Sequence, residues 1–365
     1  MTRGKIAEGT REHESCRCTC PGGRKPPASP GSWQDGRLPT PAGPVVRVKT
    51  RLDVSDTLGG WRVRWGIGRD RYRVSPGLYA VGDPTPDSPV LVTANYKLTF
   101  DLVRRNLPGR DLWLLVVDSR GINVWCAAGK GHFSSAEVVK RVSDTRLAEV
   151  VRHRTLILPQ LSASGVAAHE VKRDSGFSVL FGPVRAGDIG AFLDAGCRAT
   201  PTMRTVTFPL AERLKIVPVE LAFTLKYYLL FLLLATAGCL LFAPVFWSAW
   251  IRLTLPVLLA VLTGTVLTAA LLPWVPFRAF TLKGLVLGFA VALAISLLLG
   301  LDRLQVAGNV LFLPVLTALI ALNLTGSSTF TSQTGVNREI RRYARPLAAV
   351  GLSGLTLMLV SLWLA

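Results

Sequence analysis

The chain has 365 residues, half of them hydrophobic, and carries 42 Lys and Arg against 23 Asp and Glu, a formal charge of +19. A mean hydropathy of +0.38 is high for a water-soluble protein, and the apolar excess falls after Leu221. This placement argues against nucleic acid as the partner of the positive charge and favours anionic lipid, positive-inside loops or an acidic partner protein. Six scattered cysteines show no pairing framework, which points to a reducing compartment. The N-terminus has no apolar segment of the secretory type, so no signal peptide is expected.

Residues 1–52 are rich in Arg, Gly, Pro and Ser and are expected to form a disordered basic arm. Cys16, Cys18 and Cys20, with His13 nearby, offer thiols to a soft metal or belong to an unstructured tail.

Residues 53–215 alternate apolar runs with helical periodicity. Strands are predicted over 90–93, 112–117, 155–158 and 177–181, and helices over 97–105, 135–152 and 188–195. Ser134 and Glu137 have the spacing of a capping box. The alternation predicts a doubly wound parallel sheet with its ligand edge at the strand C-termini. The loops reaching that edge hold Thr93-Ala94-Asn95, Asp118 to Cys126, Pro159 to Gly165, with Gln160 in it, and Gly182-Pro183. Small residues there let backbone approach a large flat ligand.

The loop after the strand at 112–117 contains Cys126 with no CxxC partner. Two readings are open: a small buried hydrophobe, or a thiolate favoured by Lys130 one helical turn on and suited to a soft metal. A phosphate loop is excluded, because Val124 and Gly131 stand where its first Gly and its Ser/Thr belong. His153 and His169 are isolated and read as structural.

Residues 216–365 contain five apolar segments, about 223–243, 253–272, 282–301, 306–324 and 347–364, each long enough to cross a bilayer core. Arg213, Lys215, Lys226, Arg278, Lys283, Arg338, Arg341, Arg342 and Arg345 fall on one side; Arg252, Asp302 and Arg303 fall on the other. The positive-inside rule then places the N-terminal domain and the 323–345 loop in the cytoplasm, in a multi-pass protein of the inner (cytoplasmic) membrane.

The run Asn123-Val124-Trp125-Cys126-Ala127-Ala128-Gly129-Lys130 resembles the signature of the corrinoid protein of the microbial mercury-methylation pair, and segments 72–100, 153–169, 175–185 and 323–339 resemble the same family. The likeness runs from Asp53 to the C-terminus and leaves the first fifty residues uncovered. It implies a Rossmann-like α/β corrinoid-binding domain, related to the large subunit of the corrinoid iron–sulfur protein, followed by an all-α transmembrane domain of five helices. It implies a cobalamin-type corrinoid capped from below by Cys126 as cobalt ligand. Asn123, Val124, Trp125, Ala127 and Lys130 would surround the cap, with Thr93, Asn95, Gln160 and Gly165 as further contacts. The implied reaction is methyl transfer to Hg(II). The implied partners are a two-cluster 4Fe-4S ferredoxin as electron donor, a methyltetrahydrofolate-linked methyl supply and the lipid bilayer, with no nucleic acid. Two other readings are a membrane-bound methyl carrier of the acetyl-CoA pathway type and a non-enzymatic corrinoid or metal sensor.

Overall fold

The computed structural model describes residues 31–243, 245–324 and 333–364. Cys16, Cys18 and Cys20, and residues 325–332 of the 323–339 loop, lie outside the described residues, while 333–339 belong to the last helix.

The expected arm gives way to structure from residue 34. Strands β1 (Gln34–Leu38) and β2 (Val45–Val48) pair antiparallel and extend the sheet. Burial on both faces explains it: Val45 packs into the core on one side of the sheet and Val48 into the core on the other, and Trp33 meets Tyr79 and Phe100 edge-to-face at 5.6 and 5.1 Å. Helix α1 (Val54–Arg64) follows, closed by a reciprocal capping box between Asp53 and Asp56.

Next come β3 (Gly77–Val81), β4 (Val90–Ala94), α2 (Lys97–Arg104), β5 (Leu112–Val117), α3 (Val124–Gly129), α4 (Ser135–Asp144), α5 (Leu147–Val150) and β6 (Thr155–Leu158). The unit continues through α6 (Ala168–Ser175), β7 (Ser178–Phe181), α7 (Ile189–Asp194), α8 (Pro201–Arg204) and α9 (Leu210–Leu214). The seven strands lie in the order β1-β2-β3-β5-β4-β6-β7.

The sheet is mixed, which corrects the expected all-parallel arrangement. Strands β5, β4, β6 and β7 are parallel, whereas β3 runs antiparallel to β5. Only residues 82–89 separate β3 from β4, too short a link for a parallel crossover of a dozen or more residues. The expected 135–152 helix breaks into α4 and α5 because Arg146 takes a left-handed φ of 46°. The Ser134–Glu137 pair is also only half a capping box. Ser134 accepts the Glu137 N–H, but the Glu137 carboxylate turns away to accept the Asp118 N–H at 2.8 Å and an Arg141 N–H at 2.8 Å.

Among the four parallel strands the chain starts at β4, steps to β5 on one side, then returns to β6 on the other. The C-terminal ends of β4 and β6 therefore flank a topological switch point, where open α/β sheets leave a crevice.

The C-terminal region comprises α10 (Val217–Phe242), α11 (Phe246–Leu262), a π-helical turn (Thr263–Leu267), α12 (Thr268–Leu271), α13 (Phe280–Leu298), α14 (Arg303–Leu324) and α15 (Gln333–Leu364). Five helical stretches here are long and apolar enough to cross a membrane. Close backbone approach holds α13 to α14: a Cβ on Gly284 would lie 2.5 Å from Ala318 Cα, and one on Gly288 2.6 Å from Pro314 Cα. This GxxxG pair went unread in the sequence.

Hydrogen bonds tie each end of the bundle. At one end Arg213 reaches the carbonyls of Ala269 and Ala270, Lys283 Nζ donates to Leu272 and Val275, and the Glu339 carboxylate accepts the N–H groups of Phe280 and Thr281. At the other, Gln305 donates to the Arg252 carbonyl and Ser361 to Asp302.

Candidate functional site

The approach to the site is shaped by Asn95, buried just beyond β4. Its Oδ1 accepts the N–H groups of Ser119 (3.1 Å) and Gly121 (2.9 Å), and its Nδ2 donates to Asp118 Oδ1 at 2.9 Å. Between these bonds Arg120 and Gly121 both adopt left-handed φ, 57° and 74°, a pair of conformations that only a well-bonded turn sustains outside glycine. The turn aims the chain back over the sheet edge, where Asn123 starts α3.

Asn123 is the N-cap of α3: its Oδ1 accepts the Cys126 N–H at 2.9 Å. Cys126 thus stands in the first turn of a six-residue helix, half-buried. Val124 and Ala127 face the core, packed with Leu158 and Phe133. From below, Gly165 presses backbone to backbone; a Cβ there would come within 2.4 Å of Phe133 O and 2.9 Å of Ala128 Cα.

Two cavities lie on either side of α3. The first, about 300 Å³, sits at the switch point; Thr93, Leu158, Pro159, Gly182 and Val184 line it with Asn123, Val124 and Trp125. The second, about 500 Å³, holds Cys126 among Arg64, Arg69, Tyr96, Arg105, Lys215 and Val219. Thr99, Leu102, Asn123 and Trp125 line both, so the two hollows adjoin along α2 and α3. Burial raises the Tyr96 phenol above its ordinary range, with Arg69 and Arg64 pulling the other way.

Behind the second cavity is a buried quartet. Lys97 Nζ contacts Asp56 Oδ1 and Asp101 Oδ1, each at 2.6 Å, while Arg104 contacts Asp56 Oδ2 at 2.5 Å and Asp101 Oδ1 at 2.8 Å. Arg104 also donates to the carbonyls of Lys49 and Arg51. Burial works to raise the Asp56 carboxyl, but the bonds from Lys97 and Arg104 outweigh it and hold it below the usual range. The quartet locks α1 to α2.

Of the residues expected at the ligand edge, the structure gathers Thr93, Asn123, Val124, Trp125 and Cys126 along the cavities. Asn95, Ala127, Lys130, Gln160 and Gly165 line neither cavity. Asn95 and Gly165 instead position α3, Ala127 is core, and Gln160 is 3.4 Å from Arg204. Lys130 is exposed at the end of α3, where its N–H donates to the Cys126 carbonyl. Sequence reasoning missed Thr99 and Leu102. The signal was present: Leu98, Leu102 and Arg105 share a face of α2 opposite the buried Phe100 and Arg104.

Fold and cavity together define a mixed α/β domain with a ligand-sized hollow at its switch point. Residues 68–193 match the family described as CO dehydrogenase/acetyl-CoA synthase delta subunit. The chain is similar to the acetyl-CoA decarbonylase/synthase complex subunit gamma of Archaeoglobus fulgidus, 35% identical over 128 residues, 34% of this chain and 27% of the relative. The corresponding subunit of Methanopyrus kandleri is 34% identical over 128 residues, 34% of this chain and 27% of the relative. That of Methanosarcina acetivorans is 36% identical over 126 residues, 33% and 26% of the two chains. The chain spans about a quarter of the length of these curated relatives. The matched family segment includes α3 and the switch point; the five apolar helices lie outside it.

Proposed function

We propose that the adjoining cavities hold a corrinoid and that the chain is a membrane-bound corrinoid methyltransferase. The observation that carries this reading is the place of Cys126, fixed by Asn123 in the first turn of a helix that borders two adjoining cavities, one at the switch point and one lined by Cys126 itself. The donor set fits. Among the described residues no three His, Cys, Asp or Glu side chains gather to hold a metal ion. One thiol is the donor expected of a protein that supplies a single axial ligand to a metal already held in a macrocycle. The first cavity offers the walls such a ligand needs: apolar side chains from β4 and β6, and backbone at Gly182.

A bound corrinoid supplies the cobalt that carries a methyl group. The protein's part is orientation and exclusion of water. Cys126 would hold the cobalt through its thiol, Asn123 fixes the turn it stands on, and Val124 and Ala127 pin that turn to the core. Trp125 and Leu102 separate the two hollows.

On the acceptor, two readings have support. The names of the relatives favour a methyl carrier of an acetyl-CoA decarbonylase/synthase assembly. The Asn123–Lys130 signature and the apolar helices outside the matched segment favour Hg(II). A thiolate raises electron density on the metal it binds, which suits an acceptor that takes carbon with its electron pair, as soft Hg(II) does. We take Hg(II) as the acceptor. A two-cluster ferredoxin as electron donor and a methyltetrahydrofolate-linked methyl supply complete this reading. The five apolar helices are proposed to cross the inner membrane with the α/β domain on the cytoplasmic side, where Arg213, Lys215, Lys226, Arg278 and Lys283 cluster.

The test is the visible spectrum of the full chain purified anaerobically with corrinoid. Cys126→Ala is expected to retain the corrinoid but to show the spectrum of a changed axial ligand. An unchanged spectrum would remove Cys126 from the cobalt.

A further inference from the structure

Helix α1 buries one face against the domain and exposes an apolar stripe on the opposite one. Asp56, Gly60 and Val63 are buried against the domain, Asp56 inside its ion quartet. Val54, Leu58 and Trp61 each expose more than half of their surface, and half-buried Trp65 continues their line, its ring 5.9 Å from that of Trp61. At ~100° per residue these four fall within about 60° of one another, roughly opposite the buried stripe. Arg62 and Arg64 fall about 80° to either side of the apolar stripe. Ile67, also more than half exposed, and the exposed Arg71 and Arg73 follow in the next segment.

An apolar stripe with tryptophans, edged on both sides by arginine, is the pattern of a helix lying in a membrane interface. Its place in the fold agrees. A Cβ on Gly66 would lie 3.8 Å from Val219 Cγ2, in the first turn of α10. At the start of that turn, Ile216 and Val217 pack against Leu272, Phe280 and Leu324, the neighbouring ends of three other apolar helices. The C-terminal end of α1 is therefore level with the mouth of the helix bundle. Exposed Trp274 lies at the same end, with the Arg213 guanidinium 5.4 Å from its ring.

We infer that α1 lies on the membrane surface, with Val54, Leu58, Trp61 and Trp65 in contact with lipid and the flanking arginines at anionic headgroups. The occupant is the bilayer that takes up the five helices; the arginines are complementary to its negative surface. Since Asp56, Thr57, Gly60 and Arg64 wall the Cys126 cavity, that cavity is roofed by a membrane-bound helix. This inference rests on the five helices crossing a bilayer and is independent of which methyl acceptor is used.

The test uses the full chain in nanodiscs containing anionic phospholipid. Leu58→Cys and, separately, Trp61→Cys carry a polarity-sensitive fluorophore, with Lys140→Cys on α4 as the reference and the equally treated unsubstituted chain subtracted. Brominated lipid is expected to quench the label at 58 and at 61 at least about twofold more than at 140, with blue-shifted emission. Labels at 58 and 61 that emit as in water and are quenched no more than at 140 overturn the inference and leave the face to a soluble partner.

Discussion

The side-chain oxygen of Asn123 accepts the backbone N–H of Cys126 at 2.9 Å, so the residue that starts α3 also fixes the residue that gives it chemical interest. Replacing Asn123 by Ala removes the cap, at a cost of about 1 kcal/mol. Amide exchange over residues 124–129 is expected to quicken while the core strands stay protected. Asn123→Asp or Asn123→Ser retains an N-cap oxygen and should restore protection; no recovery in either would show that the cap does not hold the turn.

A second position bears on the same helix from beneath. Gly165→Ala drives a methyl into Phe133 O and the Ala128 backbone, and overpacking of this kind costs about 1–3 kcal/mol. Gly190→Ala is the comparison, since a Cβ there meets only Arg110 Nη2, at 3.4 Å. Thermal unfolding should fall measurably for Gly165→Ala and stay close to the parent for Gly190→Ala. Equal behaviour of the two would mean that the α3 seat is not tightly packed.

The two carboxyls of the ion quartet act in opposite senses on acid stability: burial raises Asp101 above the ordinary carboxylate range, and the acid loss falls to Asp56. Asp56 is held below the ordinary carboxylate range when folded, so it binds its proton more readily unfolded. Its contribution to stability is complete above about pH 4, where the unfolded carboxyl is ionised, and is lost as pH falls through the lowered folded value. Asp56→Asn leaves Lys97 and Arg104 short of a charge partner, and breaking a buried pair costs about 3–5 kcal/mol. Denaturant midpoints measured from pH 7 downward should show the parent losing stability in the acid range and the variant starting low with a shallower acid dependence. Parallel curves would contradict the assignment.

In the helical region, Gly284→Leu has no room, with Ala318 Cα 2.5 Å from the glycine's Cβ direction, whereas Gly238 has nothing within 4 Å. The first substitution is expected to lower the melting temperature of the detergent-solubilised chain; Gly238→Ala should leave it unchanged or slightly raised, because Ala is the better helix former by about 1 kcal/mol. Thermal scans of both variants check this.

Much of the fold was legible because its signals are local. The apolar runs at 112–117 and 155–158 became β5 and β6 within the predicted bounds, and the five long apolar segments became five helical stretches. What escaped depends on distant contacts. Strand β3 joins β5 antiparallel through pairing that no local period reports. Strand β1 reads as tail until Trp33, just before it, finds Tyr79 and Phe100. At the site, Cys126 and Asn123 stood out by motif. Asn95 and Gly165, expected at the ligand edge, line neither cavity; the Asn95 side chain holds the turn before α3, and the Gly165 backbone seats α3 itself. Thr99 and Leu102 were missed because the exposed face of α2 becomes a cavity wall only when α3 lies beside it.

The most direct test of the account is made in anaerobic cells that lack their own copy of this gene but keep the ferredoxin. Cells expressing this chain or its Cys126→Ala variant receive isotopically labelled Hg(II), and labelled methylmercury is quantified. Product is expected with the parent chain and a loss of at least about tenfold with the variant, the scale of removing one metal-site interaction. No product from a parent chain that is present and corrinoid-loaded would contradict that expectation and give the site to the methyl-carrier reading.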